Sequence, residues 1–320
     1  MINVLRSSHP FFFIISSNVL LIALIGRFDG NAFFLLPEHP LYILHFIPKY
    51  FQFTIGLLLL FYSGFLINNV VNKSVLFTKN FYLPGLIYIS LMVFSPENSS
   101  LHPMAISNLF CILGFSNLIK IYRNESCKNH VFKACCWIIL ALICFPSFSV
   151  LFLISWLSLL IIRPFIWKEY LIPIVCLILF AAYLSVTLLL LKSSFNVLPH
   201  WLSSISFYNT RFSPFSMITI GVFIFISLSL SLKIILFIYG RSTNRFKKVI
   251  KLLLIFFVLC VLQMALDIFL FKSNCFSIYS SFVPLSILIS FVFMYSKKVW
   301  ILDSLYLLFI LSIFLFTYLI

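Results

Sequence analysis

The chain has 320 residues, 63% of them hydrophobic, 19% aromatic and 9% charged, with 22 basic residues against 7 acidic ones for a net charge of +15. Soluble domains carry about 45–50% apolar and about 25% charged residues, so this chain has too little polar surface to cover a core in water. Its composition excludes a soluble globular domain, a disordered chain and a nucleic-acid-binding module. What is left is an all-α polytopic transmembrane helical bundle, read as one integral membrane domain over 1–320.

An apolar run of about 18 or more residues is long enough to cross the hydrocarbon core as a helix. In chain order the sequence predicts about eleven crossings, over 10–26, 49–71, 81–96, 103–119, 134–146, 147–162, 171–191, 215–239, 252–271, 281–296 and 303–319. The first follows Arg6 and is followed by Gly26-Arg27-Phe28-Asp29 rather than a small-residue cleavage site, so it reads as a retained helix and not a signal peptide. Residues 134–162 are too long for one crossing, and Phe145-Pro146-Ser147 lies near their middle. Proline removes a donor and clashes with the preceding turn. The expectation is a tight hairpin of two short helices, with a kinked or re-entrant segment as the alternative.

Placing the N-terminus in the cytoplasm puts seventeen Lys and Arg on the inner side and five on the outer side, in keeping with the excess of Lys and Arg in cytoplasmic loops. On this topology the basic run 241–251 reads as an anchor against anionic lipid and not as a nucleic-acid site. Segment 192–214 carries Trp201, Tyr208 and Arg211 and reads as an amphipathic stretch lying in the outer interface. Most of the eight cysteines fall inside predicted helices without any C-x-x-C pair, so they read as small apolar residues. The 41 phenylalanines read as packing and lipid-facing bulk.

A charge inside hydrocarbon is costly, so polar positions carry the functional information. Asp29 and Glu38 lie nine residues apart in the first outer loop, with Gly30, Pro37 and Pro40 shaping the backbone. Such a pair can act as general base or hold a divalent cation; the plainer reading is a hydrated loop balancing Arg27 and Lys49. In the second outer loop Pro103 suits a first helical turn, with Ser99 or Ser100 as its cap. Arg211 is placed to meet a lipid phosphate, because its guanidinium matches phosphate as a planar fork; the plainer reading is a residue snorkelling to headgroups. Gln263 and Asp267 are four apart and share one face of the ninth helix. Facing a cavity they would form a proton or ion site. The uncharged Asn18, Asn108 and Asn117 read as glue between helices.

Several stretches carry a resemblance. Ser107-Asn108-Leu109-Phe110, Ile119-Lys120-Ile121-Tyr122 and His130-Val131-Phe132-Lys133-Ala134 lead through Cys136-Trp137-Ile138 and Arg163-Pro164 to Trp167-Lys168-Glu169-Tyr170-Leu171-Ile172-Pro173, with Leu66-Ile67-Asn68-Asn69 upstream. From the N-terminus to about residue 300 the chain resembles a family of polytopic inner-membrane proteins of Bacteroidota. These motifs are architectural. The resemblance implies a multi-pass helical protein of the bacterial inner membrane and supplies no activity. Cys144-Phe145-Pro146 departs from the aromatic and His or Trp cluster expected of that family.

Three functional readings follow. The layout is similar to that of GT-C type glycosyltransferases and lipid-linked glycan polymerases. It implies an enzyme of envelope glycan assembly with Asp29 or Glu38 as base or cation ligand and Arg211 on the phosphate of a polyprenyl-linked glycan. A transporter or flippase would use Gln263 and Asp267 to line a pathway. A non-catalytic subunit of an envelope protein complex would need none of these residues individually. Membrane lipid is a partner in all three.

Overall fold

Helix follows apolar sequence throughout the described chain, because in hydrocarbon every backbone polar group needs an internal partner and a helix supplies them all. A computed structural model of the protein describes residues 10–25, 47–74, 76–77, 81–94, 102–122, 127–190, 214–271, 278–296 and 299–319. In order, the helices are α1 (Pro10–Ile25), α2 (Lys49–Ser74), α3 (Leu83–Val93), α4 (Pro103–Lys120), α5 (Cys127–Cys144), a 3-10 helix (Pro146–Leu153), α6 (Ile154–Ile162), α7 (Trp167–Tyr170), α8 (Ile172–Leu190), α9 (Pro214–Arg241), α10 (Asn244–Phe271), α11 (Ile278–Tyr295) and α12 (Val299–Leu319). Seven spans are long and apolar enough to cross a membrane: α2, α4, α5, α9, α10, α11 and the stretch Trp167–Val186 across α7 and α8. Seven such helices are what a multi-pass helical membrane protein requires.

Each of the eleven predicted segments is helical, and the differences lie at the ends and in the shorter members. The fifth helix begins at Cys127 instead of 134, and the ninth at Asn244 instead of 252. In both, the added turns carry Lys, Arg or His, whose side chains reach water while the backbone hydrogen bonds continue. A hydropathy reading stops where the apolar residues stop. The third segment contains only eleven helical residues. At about 1.5 Å per residue these cover about 16 Å, half of a bilayer core of about 30 Å. Residues 95–101 lie outside the described ones.

The break at Pro146 is present. Phe145 is extended (φ −149°, ψ 111°) and Pro146 opens the 3-10 helix. The hairpin closes back on itself: Cys127 at the start of α5 lies beside Glu169, beyond α6. The two arms are longer than the expected short helices. The eighteen residues of α5 cover about 27 Å. The 3-10 stretch rises about 2 Å per residue, so its eight residues plus the nine of α6 reach about 30 Å.

At the centre sit α3, buried at every position, and α11, buried from Tyr279 through Phe293. The two pack on each other, and α1, α2, α4, α9 and α10 pack around them. The α2–α3 crossing is close because Gly64 and Gly85 face one another; a Cβ at Gly85 would collide with the Gly64 carbonyl and the Asn68 side chain. The first N–H groups of a helix have no intrahelical partner, and here the neighbouring helix supplies one for Gly85 and another for the residue just before the N-cap. Asn68 Oδ1 accepts from the Gly85 N–H at 2.7 Å and Asn72 Oδ1 from the Phe81 N–H at 2.9 Å.

The cap of α4 is neither of the serines expected from the sequence, which lie outside the described residues. It is His102, whose Nδ1 accepts from the Met104 N–H at 3.1 Å, with Pro103 in the first turn as anticipated. Helices α8, α9 and α12 carry many exposed apolar side chains, among them Ile178, Phe225 and Leu308. In a membrane these face lipid. Phenylalanine serves both expected roles: Phe94, Phe223 and Phe309 stack inside the bundle with centroids 4.0 and 5.7 Å apart, while Phe237 and Phe269 are exposed.

The ends of α2, α4, α6 and α9 and the beginnings of α5, α7 and α10 meet at one end of the bundle, where Lys73, Lys120, Arg163 and Arg245 are found. This basic end gathers residues that the charge count places on one side of the membrane.

Candidate functional site

Helix α10 presents one face to the interior along its length. Leu252, Leu253, Phe256, Leu259 and Cys260 are buried in steps of three and four, the spacing of a helical stripe. The next two members of that stripe, toward the end opposite the basic one, are Gln263 and Asp267. Gln263 is completely buried and Asp267 is 4% exposed. The sequence places this pair on one face; the structure turns that face inward.

Beside this stripe lie groups from four other helices. The Cys260 thiol is near Ser280 of α11 and Cys111 of α4. One turn from Cys111 toward the same end as Gln263 is Asn108. Its Nδ2 donates to the Tyr279 carbonyl at 3.1 Å and ties α4 to α11. The Tyr88 hydroxyl of α3 sits beside Ser63 and Asn108 without a well-formed hydrogen bond. In α11, Pro284 withdraws one intrahelical donor from the turn that carries Ser280.

The hydrogen-bond ledger of this region is incomplete. Both polar atoms of the Gln263 amide are buried without a partner among the described residues, while the Tyr88 hydroxyl and Asn108 Oδ1 lie beside one another without a well-formed bond. Each such group costs about 1–3 kcal/mol relative to a satisfied or apolar one. Buried orphan groups in a native protein mark a bound water, an ion or a functional role. Chemically, Asp267 and Gln263, one turn apart on the buried face, offer a carboxyl group and an amide with donor and acceptor atoms. The pair suits the binding of a proton, a cation or a small polar solute.

Of the other candidates, Asp29, Glu38 and Arg211 lie outside the described residues, as does the expected interfacial segment up to residue 213. No group of three or more His, Cys, Asp or Glu is positioned for a metal among the described residues. The three asparagines expected to join helices divide. Asn108 does so; Asn117 Nδ2 returns to the Leu113 carbonyl of its own helix, and Asn18 is exposed on α1. Tyr88 was not singled out by sequence. The available signal was its hydroxyl, which with that of Ser90 supplies the only polar side-chain groups of an interior helix. Comparison with protein-family models, with curated proteins and with solved structures finds no match.

Proposed function

We propose that this multi-pass membrane protein moves a substrate across a bacterial inner membrane, in the manner of a transporter or flippase, with proton or cation binding at Asp267 assisted by Gln263. The observation that supports this reading is the Gln263 amide, fully buried with both polar atoms unpartnered among the described residues, one helical turn from the buried Asp267. An ionisable residue within a membrane helix that faces the protein interior marks an ion or proton pathway. The amide can accept from a protonated carboxyl or donate to an ionised one, so it accommodates both states of its neighbour. The basic end faces the cytoplasm in this reading. The bacterial inner membrane follows the family resemblance.

The test needs no knowledge of the substrate. Full-length protein in proteoliposomes loaded with a pH-sensitive dye is challenged with a pH step. Proton entry above that of empty vesicles is expected for the wild type and for Asp29→Ala with Glu38→Ala, and is lost in Asp267→Asn. Equal proton entry in Asp267→Asn and wild type would overturn the proposal. Lipid-linked glycan profiles of cells carrying the same variants discriminate the second reading. A precursor that accumulates in the Asp29, Glu38 double variant but not in Asp267→Asn would point to an enzyme of envelope glycan assembly acting on a polyprenyl-linked glycan, with Arg211 on its phosphate. Silence of every variant, with fixed partners on purification, would favour the complex-subunit reading.

A further inference from the structure

At the basic end the helices leave two adjoining cavities that share Tyr122 as a common wall. The first, of about 410 Å³, is lined by Lys73 from α2, Lys120 from α4 and Arg245 from α10. The second, of about 780 Å³, is lined by Lys247, Lys248 and Lys251 of α10 and by Arg163. Both volumes lie in or near the range of small-molecule sites. No described carboxylate lines either cavity; Glu169 stands behind Arg163 at 3.0 Å.

Part of this charge has a structural use. Arg245 Nη2 donates to the Lys73 carbonyl at 3.3 Å, and Lys248 Nζ to the Ile162 carbonyl at 2.7 Å. Those carbonyls belong to helix C-terminal turns, where cations are favoured. Aromatic faces also hold two of the amines: Lys247 lies over Tyr239 at 5.5 Å and Lys248 over Tyr122 at 5.6 Å. The arrangement is therefore ordered. It nonetheless leaves like charges facing common spaces, and the Arg245 Nε is buried without a partner among the described residues.

A second observation runs the same way. Arg245, Lys247 and Lys248 occupy the first turns of α10, which contain no acidic residue in the first turn. A helix N-terminus carries positive partial charge and disfavours cations. Three bases at the positive end of one helix, aimed at walls that carry more bases, make an electrostatic environment that an anion relieves. Low-dielectric walls concentrate such a field.

We propose that the two joined cavities form one binding site for a phosphate group. The group is supplied either by the headgroup of an anionic phospholipid or by free phosphate. The exposed Trp167 and Trp300 at the same end stand where aromatic residues meet headgroups. Basic pockets between membrane helices are a recognised setting for phosphate headgroups.

The test uses the full chain in phosphatidylcholine nanodiscs doped with phosphatidylglycerol, with bound phosphatidylglycerol counted by native mass spectrometry. Lys247→Gln with Lys251→Gln removes two charges from the second cavity. Lys73→Gln with Lys120→Gln does so for the first. Lys128→Gln with Lys168→Gln removes two exposed charges from the same end outside both cavities. At about 1 kcal/mol per cation, either cavity pair is expected to weaken phosphatidylglycerol binding by about tenfold or more, and the outside pair to leave it unchanged. Displacement of the lipid by millimolar inorganic phosphate would assign the site to free phosphate; retention would assign it to the headgroup. Equal losses in cavity and outside variants, or binding of neither probe, would overturn the proposal.

Discussion

Gln263 separates a structural from a functional role at a single position. Its amide is buried and unpartnered, so replacing it with an apolar residue of similar size removes a desolvation penalty. Gln263→Leu is expected to stabilise the protein by about 1–3 kcal/mol while lowering proton entry in the vesicle assay. Resistance to thermal unfolding in detergent measures the first effect. A destabilised Gln263→Leu would mean that the amide has partners in the membrane and that the vacancy argument fails. Gly85 makes a second comparison. A methyl group there collides with backbone of α2, whereas at Gly221 of α9 a Cβ meets nothing within 4 Å. Gly85→Ala should cost about 1–3 kcal/mol, as overpacked cores do. Gly221→Ala should be neutral or stabilise by up to about 1 kcal/mol. Similar midpoints for the two variants would show that α2 and α3 are free to separate.

The helix pair around Pro146 carries the argument at the level of elements. A proline, an extended residue before it and a 3-10 stretch after it turn one long apolar run into two arms of about 27 and 30 Å. If both arms cross, Lys128 and Lys168 lie on the same side. Cysteines introduced separately at these two exposed positions should react with a membrane-impermeant thiol reagent from one face only, and from the same face. Cys275, outside the described residues, is first replaced by Ser; of the seven described native cysteines six are buried and Cys136 is half-buried. Labelling from opposite faces would replace the hairpin by a single crossing with a re-entrant arm. The start of α3 depends on another element in a similar way. One of its first N–H groups, that of Gly85, is met by Asn68 of α2, and Asn72 of α2 holds the Phe81 N–H just before the helix, so the beginning of α3 is fixed by packing on α2.

For the whole molecule, charge is distributed along the axis of the bundle. Bases crowd one end, and Gln263 and Asp267 lie toward the other, inside an apolar wall. The excess of Lys and Arg is the strongest orienting signal in a polytopic chain. Alkaline phosphatase fused after Arg241 should therefore be inactive in cells, and active when fused after Phe271 at the opposite end. The reverse pattern would invert the membrane orientation and place the phosphate site proposed for the basic end on the outer face.

The sequence by itself determined the solvent, the helical class and nearly every helix. Apolar length and the distribution of Lys and Arg are local quantities that need no knowledge of neighbours. It also placed Gln263 and Asp267 on one face, since that follows from 3.6 residues per turn. It could not say which way that face pointed. Nor could it show that Tyr88 and Asn108 lie beside one another, that His102 caps α4, or that bases from α2, α4, α6 and α10 share two cavities. Those facts depend on which helices pack together. In a chain whose helices are apolar on nearly every side, composition gives little preference for one face over another. The choice falls to small residues such as Gly64 and Gly85, to interhelical hydrogen bonds such as those of Asn68 and Asn108, and to the fit of side chains. These become visible only in three dimensions.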